Sequence, residues 1–207
     1  MENNVELYTN DIPDNIKDWT LNNCSYIGID TETTGLNPIK DSLCLIQIAA
    51  NERYFLIKYD TNNTYKNLTE ILTNKNIKKV FHHAIFDVRF IMRHLKITNI
   101  DNVICTKIAA KLIYGLNESN SLKDLLKKHF DVLLNKEFQV SNWRAAELSS
   151  NQINYAINDV KYLVKLWCEM EKELHNKGLI KYAEKCFDFL PTQAFLNNNG
   201  IGNIFEY

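Results

Sequence analysis

Proline and glycine are scarce, three and six in 207 residues, and no Ser/Pro-rich stretch gathers them. That excludes a flexible linker or low-complexity tract, and no internal repeat divides the chain into stacked units. The elements must pack continuously. A chain of this length that is 45% hydrophobic supports one good core, so a single domain over 1–207 is expected. Cysteines lack partners in sequence: Cys24, Cys44, Cys105, Cys168 and Cys186 stand singly, with no Cys-x-x-Cys pair and no histidine at zinc-ligand spacing. They read as reduced, mostly buried thiols. No apolar run is long enough to span a bilayer, and Met1–Asn10 is polar and acidic rather than leader-like. A soluble, cytoplasmic protein without membrane contact is expected. Net charge is also missing, and at −1 the chain does not coat nucleic acid by bulk attraction.

Positive charge is instead local. It gathers at Lys75, Lys78 and Lys79, at Arg89, Arg93 and Lys96, and at Lys107, Lys111, Lys123, Lys127 and Lys128. Such runs serve either as solvated helix faces or as contacts to phosphate. Nothing in the sequence calls for an obligate protein partner.

Ser25–Asp30 reads as a buried strand ended by the loop Thr33–Pro38. Leu43–Ala50 and Arg53–Tyr59 flank Asn51-Glu52 as the arms of a hairpin. A helix near Tyr65–Thr73 precedes the strand Lys78–His83, which runs into a helix over Ala84–Leu95. Val103–Cys105 is a fifth short strand, followed by helices over Thr106–Tyr114 and Ser121–His129. Ser149-Ser-Asn-Gln152 has the form of a capping box opening one long helix that ends near Gly178. From about 179 an apolar tail with Tyr182, Phe187, Phe189, Leu190 and Phe195 is expected to pack as helix on the domain. The class is α/β, a mixed five-stranded sheet flanked by helices.

Asp30 and Glu32 stand two apart at the end of an apolar strand, so both carboxylates leave one face, roughly 6.5–7 Å apart along the backbone. Like charges so placed repel unless a cation lies between them, although acids also end strands for ordinary structural reasons. Asp87 falls in the first turn of a helix between apolar Phe86 and Val88, where it either finds a partner or complements the helix dipole. Tyr155 and Asp159 are four apart on the long helix and share a face beside its apolar stripe. Taken singly, that pair is also a core-boundary tyrosine with an exposed acid. Together, four acids from three elements suit hard, oxygen-ligated cations such as Mg²⁺ or Mn²⁺, and two such ions can stabilise both oxygens of a phosphoryl displacement.

Asp30-Thr-Glu32, His83-x-x-x-Asp87 and Tyr155-x-x-x-Asp159 resemble the three motifs of the DEDD superfamily of 3′→5′ exonucleases, in its tyrosine branch. Flanking text, including Ile29–Leu36, Leu45-Ile-Gln-Ile48 and Ser141-Asn-Trp143, is similar to ribonuclease D. The resemblance implies a ribonuclease H-like fold, with Asp30, Glu32, Asp87 and Asp159 as ligands to two divalent ions and Tyr155 orienting the attacking water. It further implies nucleic-acid contacts by the Thr31 backbone, by Leu36 as a wedge against the terminal base, and by His83. The expected activity is removal of nucleoside monophosphates from RNA 3′ ends. DNA exonucleases share the motifs, and a silent binding module that keeps the fold is a rival of another class. His83 stands where the family usually has asparagine, bringing a titratable group to the substrate. Arg144-Ala-Ala-Glu147 lacks the usual Arg-Pro pair, leaving Arg144 as a nearby substitute. The resemblance covers the catalytic domain, and the helical nucleic-acid-binding domains that follow it in ribonuclease D are not expected in the residues after Gly178.

Overall fold

A computed structural model describes residues 4–135 and 137–206, so the first three residues of the acidic opening stretch lie outside the description. Six strands form one mixed sheet: β1 (Val5–Tyr8), β2 (Tyr26–Thr33), β3 (Leu43–Ala50), β4 (Arg53–Lys58), β5 (Lys78–Phe81) and β6 (Val103–Cys105). Their spatial order is β1-β4-β3-β2-β5-β6. The sheet thus has one strand more than the five expected. β1 runs parallel to β4 at the edge, with Val5 opposite Tyr54, and Arg53 ties the pair by an ion pair to Glu6 at 2.6 Å. It is a short, half-polar edge strand, as edges exposed to water commonly are.

The β3–β4 hairpin turns at Asn51 and Glu52, both with positive φ (45° and 65°), as a two-residue type I′ turn requires. β3 is buried at all eight positions. It pairs antiparallel with β2, which pairs parallel with β5 on its other side, placing Asp30 opposite Gln47 at the centre of the sheet.

Helices cover the sheet: α1 (Asp14–Asn23), α2 (Lys66–Thr73), α3 (Ile85–His94), α4 (Thr106–Tyr114), α5 (Leu122–Phe130), α6 (Ser150–Lys161), α7 (Leu163–Asn176) and α8 (Ile180–Asn198). The capping box forms as read: Ser149 Oγ accepts from the Gln152 N–H at 3.3 Å while Gln152 Oε1 accepts from the Ser149 N–H at 3.0 Å. Gly178 adopts φ +70° just past α7, the left-handed turn of a C-cap. The single helix expected between these caps is two, α6 and α7, divided at Tyr162 (φ −104°, ψ −3°). The division lies where the helices touch β2: a Cβ on Gly28 would sit 2.9 Å from the Val160 carbonyl oxygen and 3.2 Å from Leu163 Cβ. Glycine there lets the helical joint press against the strand carrying Asp30 and Glu32.

After Gly178 the chain forms α8, which packs on α3 and β6 and buries Ala183, Phe187, Leu190, Pro191 and Ala194. All five cysteines are free thiols, and Cys24, Cys44 and Cys105 are buried. Among the described residues no helix is long and apolar enough to cross a membrane.

Candidate active site

The bent pair α6–α7 lies over the face of β2 that carries Gly28, Asp30 and Glu32. It brings Asp159 to the end of the strand, where one carboxylate oxygen each from Asp30, Glu32 and Asp159 lie within 4.8 Å of one another. Asp87 enters from the first turn of α3 and is almost fully buried. It is not in that group of three, but its charge acts on both Asp30 and Glu32. All four line a cleft of about 620 Å³, with Tyr155, Thr31, Leu36 and His83.

Side-chain donors hold three of the acids. Thr31 Oγ1 donates to Asp87 Oδ1 at 2.6 Å, Gln47 Nε2 to Glu32 Oε1 at 3.4 Å, and the Tyr155 phenol to Asp159 one helical turn away. Trp143 packs on Tyr155 with ring centroids 5.9 Å apart. These donors do not offset the cost of gathering like charges in a buried place. Burial first, then Asp87, Asp159 and Glu32, push the Asp30 carboxyl well above the usual range. Burial and the charges of Asp159 and Asp87 raise Glu32 to about 9. Burial raises Asp87 to about 7 against the opposing pull of its hydrogen bonds. Converging carboxylates that resist ionisation favour a bound cation, and an all-oxygen donor set suits Mg²⁺ or Mn²⁺. The residues present therefore fit the implied metal.

Leu36 projects from the rim with 80% of its surface exposed. His83 has φ +69°, a left-handed backbone conformation that histidine, like asparagine and aspartate, enters more often than most residues. Partial burial of its ring, then Lys107, Lys111 and Arg89, hold its pKa below the ordinary value, keeping it neutral near pH 7. Arg144 lines the cleft and bonds to the Ser42 hydroxyl.

His82 and Gln47 had no role from the sequence, and Lys107 was named there only within a basic run. His82, whose Nδ1 lies 2.9 Å from Thr106 Oγ1, and Lys107 both line the cleft. Gln47 supports Glu32 from within the apolar run Leu43–Ala50, and its polarity there was the available signal. The basic groups divide by role. Lys79 is buried, donating to the Asn74 and Asp101 carbonyls, and Lys78 donates to the Tyr26 hydroxyl, so these two serve the fold.

A mixed sheet with acids gathered at the end of its central strand, beneath a capped helix that supplies tyrosine and aspartate, defines a nuclease of the ribonuclease H-like fold. More narrowly, the chain belongs to the 3′-5′ exonuclease family, whose model matches residues 9–175. Human exosome complex component 10 is 30% identical over 159 residues, covering 76% of this chain and 18% of that protein. Ribonuclease D of Zymomonas mobilis is 32% identical over 160 residues, covering 76% and 40%. The chain thus spans less than half the length of these curated relatives. Brucella melitensis NrnC has been solved with bound Mg²⁺, at 33% identity and TM-score 0.87, and bound to pGG, at 35% and 0.88. Each match covers 98% of both chains.

Proposed function

We propose that this chain is a 3′→5′ exoribonuclease that releases nucleoside monophosphates from RNA 3′ ends by two-metal-ion hydrolysis, as a single catalytic domain acting in the cytoplasm. The observation that carries this reading is the convergence of Asp30, Glu32 and Asp159 in one cleft with Asp87 beside them. These four acids would hold two divalent ions, Mg²⁺ or Mn²⁺. Bound there, such ions supply Lewis acidity toward the attacking water and the departing 3′ oxygen.

The chain's own side chains do the positioning. Burial first, and then the neighbouring Asp159, raise the Tyr155 phenol well above the ordinary tyrosine value. It therefore stays protonated and orients the water by hydrogen bonding without acting as the base. Leu36 packs against the terminal base, neutral His83 and the Thr31 backbone contact the terminal nucleotide, and Lys107 and Arg144 bring positive charge to the phosphates. RNA as substrate is supported by the names of the ribonuclease D and exosome relatives. The structure of NrnC bound to pGG supports a cleft that takes a nucleic-acid end as short as a dinucleotide.

Digestion of matched 5′-labelled RNA and DNA oligonucleotides with Mn²⁺, Mg²⁺ or EDTA tests the reading. A metal-dependent ladder shortening from the RNA 3′ end, absent in Asp159→Ala, is expected. Preference for DNA would establish the repair or proofreading alternative. Binding without cleavage of either would show a silent module.

A further inference from the structure

Strand alternation divides the Asp30-Thr31-Glu32 triplet between the two faces of the sheet. Asp30 and Glu32 meet Asp159 of α6 on one face. Thr31 points to the other, where its hydroxyl reaches Asp87 of α3 at 2.6 Å, a contact between residues 56 apart in sequence. Thr31 is 5% exposed and Asp87 2%, so water competes little for the bond, and a charge-assisted hydrogen bond in such surroundings is strong. The backbone N–H groups of Thr31 and Asp87 act on the same carboxylate. A β-branched side chain has few rotamers, which places the donor before any ligand arrives. Packing alone would not need a hydroxyl here, since valine has the same shape. The hydrogen bond to Oδ1 fixes the orientation of the carboxylate.

We propose that Thr31 is a positioning residue for Asp87: its hydroxyl holds the carboxylate from the far face of β2 in the orientation it would offer to a divalent ion. This rests on the metal-site reading above. It also accounts for the grouping of the acids, in which Asp30, Glu32 and Asp159 face one another while Asp87 stands apart, engaged by Thr31. The triplet then supplies two ligands on one face and the support for a third acid on the other.

The test compares Thr31→Val, which keeps the shape and removes the donor, with Thr31→Ser, which keeps the donor. Titration of the substrate-free proteins with Mn²⁺ and Mg²⁺, followed by the thermal midpoint, reads metal affinity without activity. Thr31→Val is expected to need about 10- to 100-fold more metal for half-maximal stabilisation, and Thr31→Ser to stay near the parent. In an Asp87→Asn background, Thr31→Val should change the metal midpoint little further. A folded Thr31→Val protein with the parental metal midpoint overturns the proposal, as does a loss that persists undiminished without the Asp87 carboxylate. Should Thr31→Val not fold, Thr31→Ala against Thr31→Ser makes the same comparison. Asp30→Ala separates the two levels. If it keeps full metal stabilisation, the metal-site reading fails; if it loses stabilisation while Thr31→Val does not, only the positioning fails.

Discussion

Asp30, Glu32 and Asp87 hold their protons more tightly than ordinary carboxyls, and this links the site to the stability of the protein around it. In an unfolded chain each would titrate near pH 4. In the fold, Asp87 is raised to about 7 and Glu32 to about 9. A carboxyl raised on folding contributes stability that is fully present below its unfolded pKa and is lost as pH rises through the folded value. The metal-free protein is therefore expected to lose thermal stability between about pH 4 and 9 on account of these groups. Saturating Mn²⁺ should oppose the loss, because it favours the ionised carboxylates. Thermal midpoints in EDTA and in Mn²⁺ across this range check it: the metal-induced rise should be larger at pH 8 than at pH 5, and a rise independent of pH would contradict the assignment. Tyr155 stands apart, since its hydroxyl donates to Asp159 without being an acid of the cluster. Tyr155→Phe is expected to lower kcat on the order of 10²-fold while the metal titration midpoint stays near that of the parent. An equal loss of metal binding would mean that the phenol acts only by holding Asp159 and not on the water.

Elements place these groups, and the joint between α6 and α7 is where placement is tightest. Gly28→Ala would put a methyl group 2.9 Å from the Val160 carbonyl oxygen, forcing the joint off β2 and Asp159 away from Asp30. A loss of about 1–3 kcal/mol in urea unfolding is expected, with a raised metal midpoint for thermal stabilisation. Unchanged metal binding in a destabilised Gly28→Ala protein would mean that the helix end moves without the acid. This joint was not legible in the sequence: apolar periodicity runs from Ile153 to Leu174 without a proline or glycine, and the division falls where the helices meet a strand more than a hundred residues earlier. β1 was hidden for a related reason. Val5–Tyr8 is short, and its partner β4 lies about fifty residues away, so local pattern carries little of its stability. What could be read was what local chemistry decides: the Asn51-Glu52 turn, the Ser149–Gln152 cap, and the acids of β2 interrupting an apolar run. Those acids identified the candidate site, whereas Gln47 and His82 acquire their places only through cross-strand and tertiary contact.

At the scale of the whole molecule, a nearly neutral chain must attract a polyanion to a cleft whose floor is acidic. Of the basic residues singled out in sequence, Lys107 lines that cleft, joined there by Arg144, while Lys78 and Lys79 are engaged within the fold. A cleft of about 620 Å³ is of the size that takes small ligands, so it should engage the last nucleotides of a strand and leave the rest in solution. Salt dependence tests this, because each phosphate neutralised on a single strand contributes about 0.7 to the slope of log affinity against log salt. With catalysis blocked in Asp159→Ala, the slope for binding RNAs of increasing length is expected to level off after two or three nucleotides. A slope that keeps rising with length would reveal a further basic track outside the cleft. The distinction bears directly on function: a slope that levels off marks an enzyme that handles RNA by its end and can take very short substrates, whereas a rising slope marks one that gains its hold from the strand behind the scissile bond.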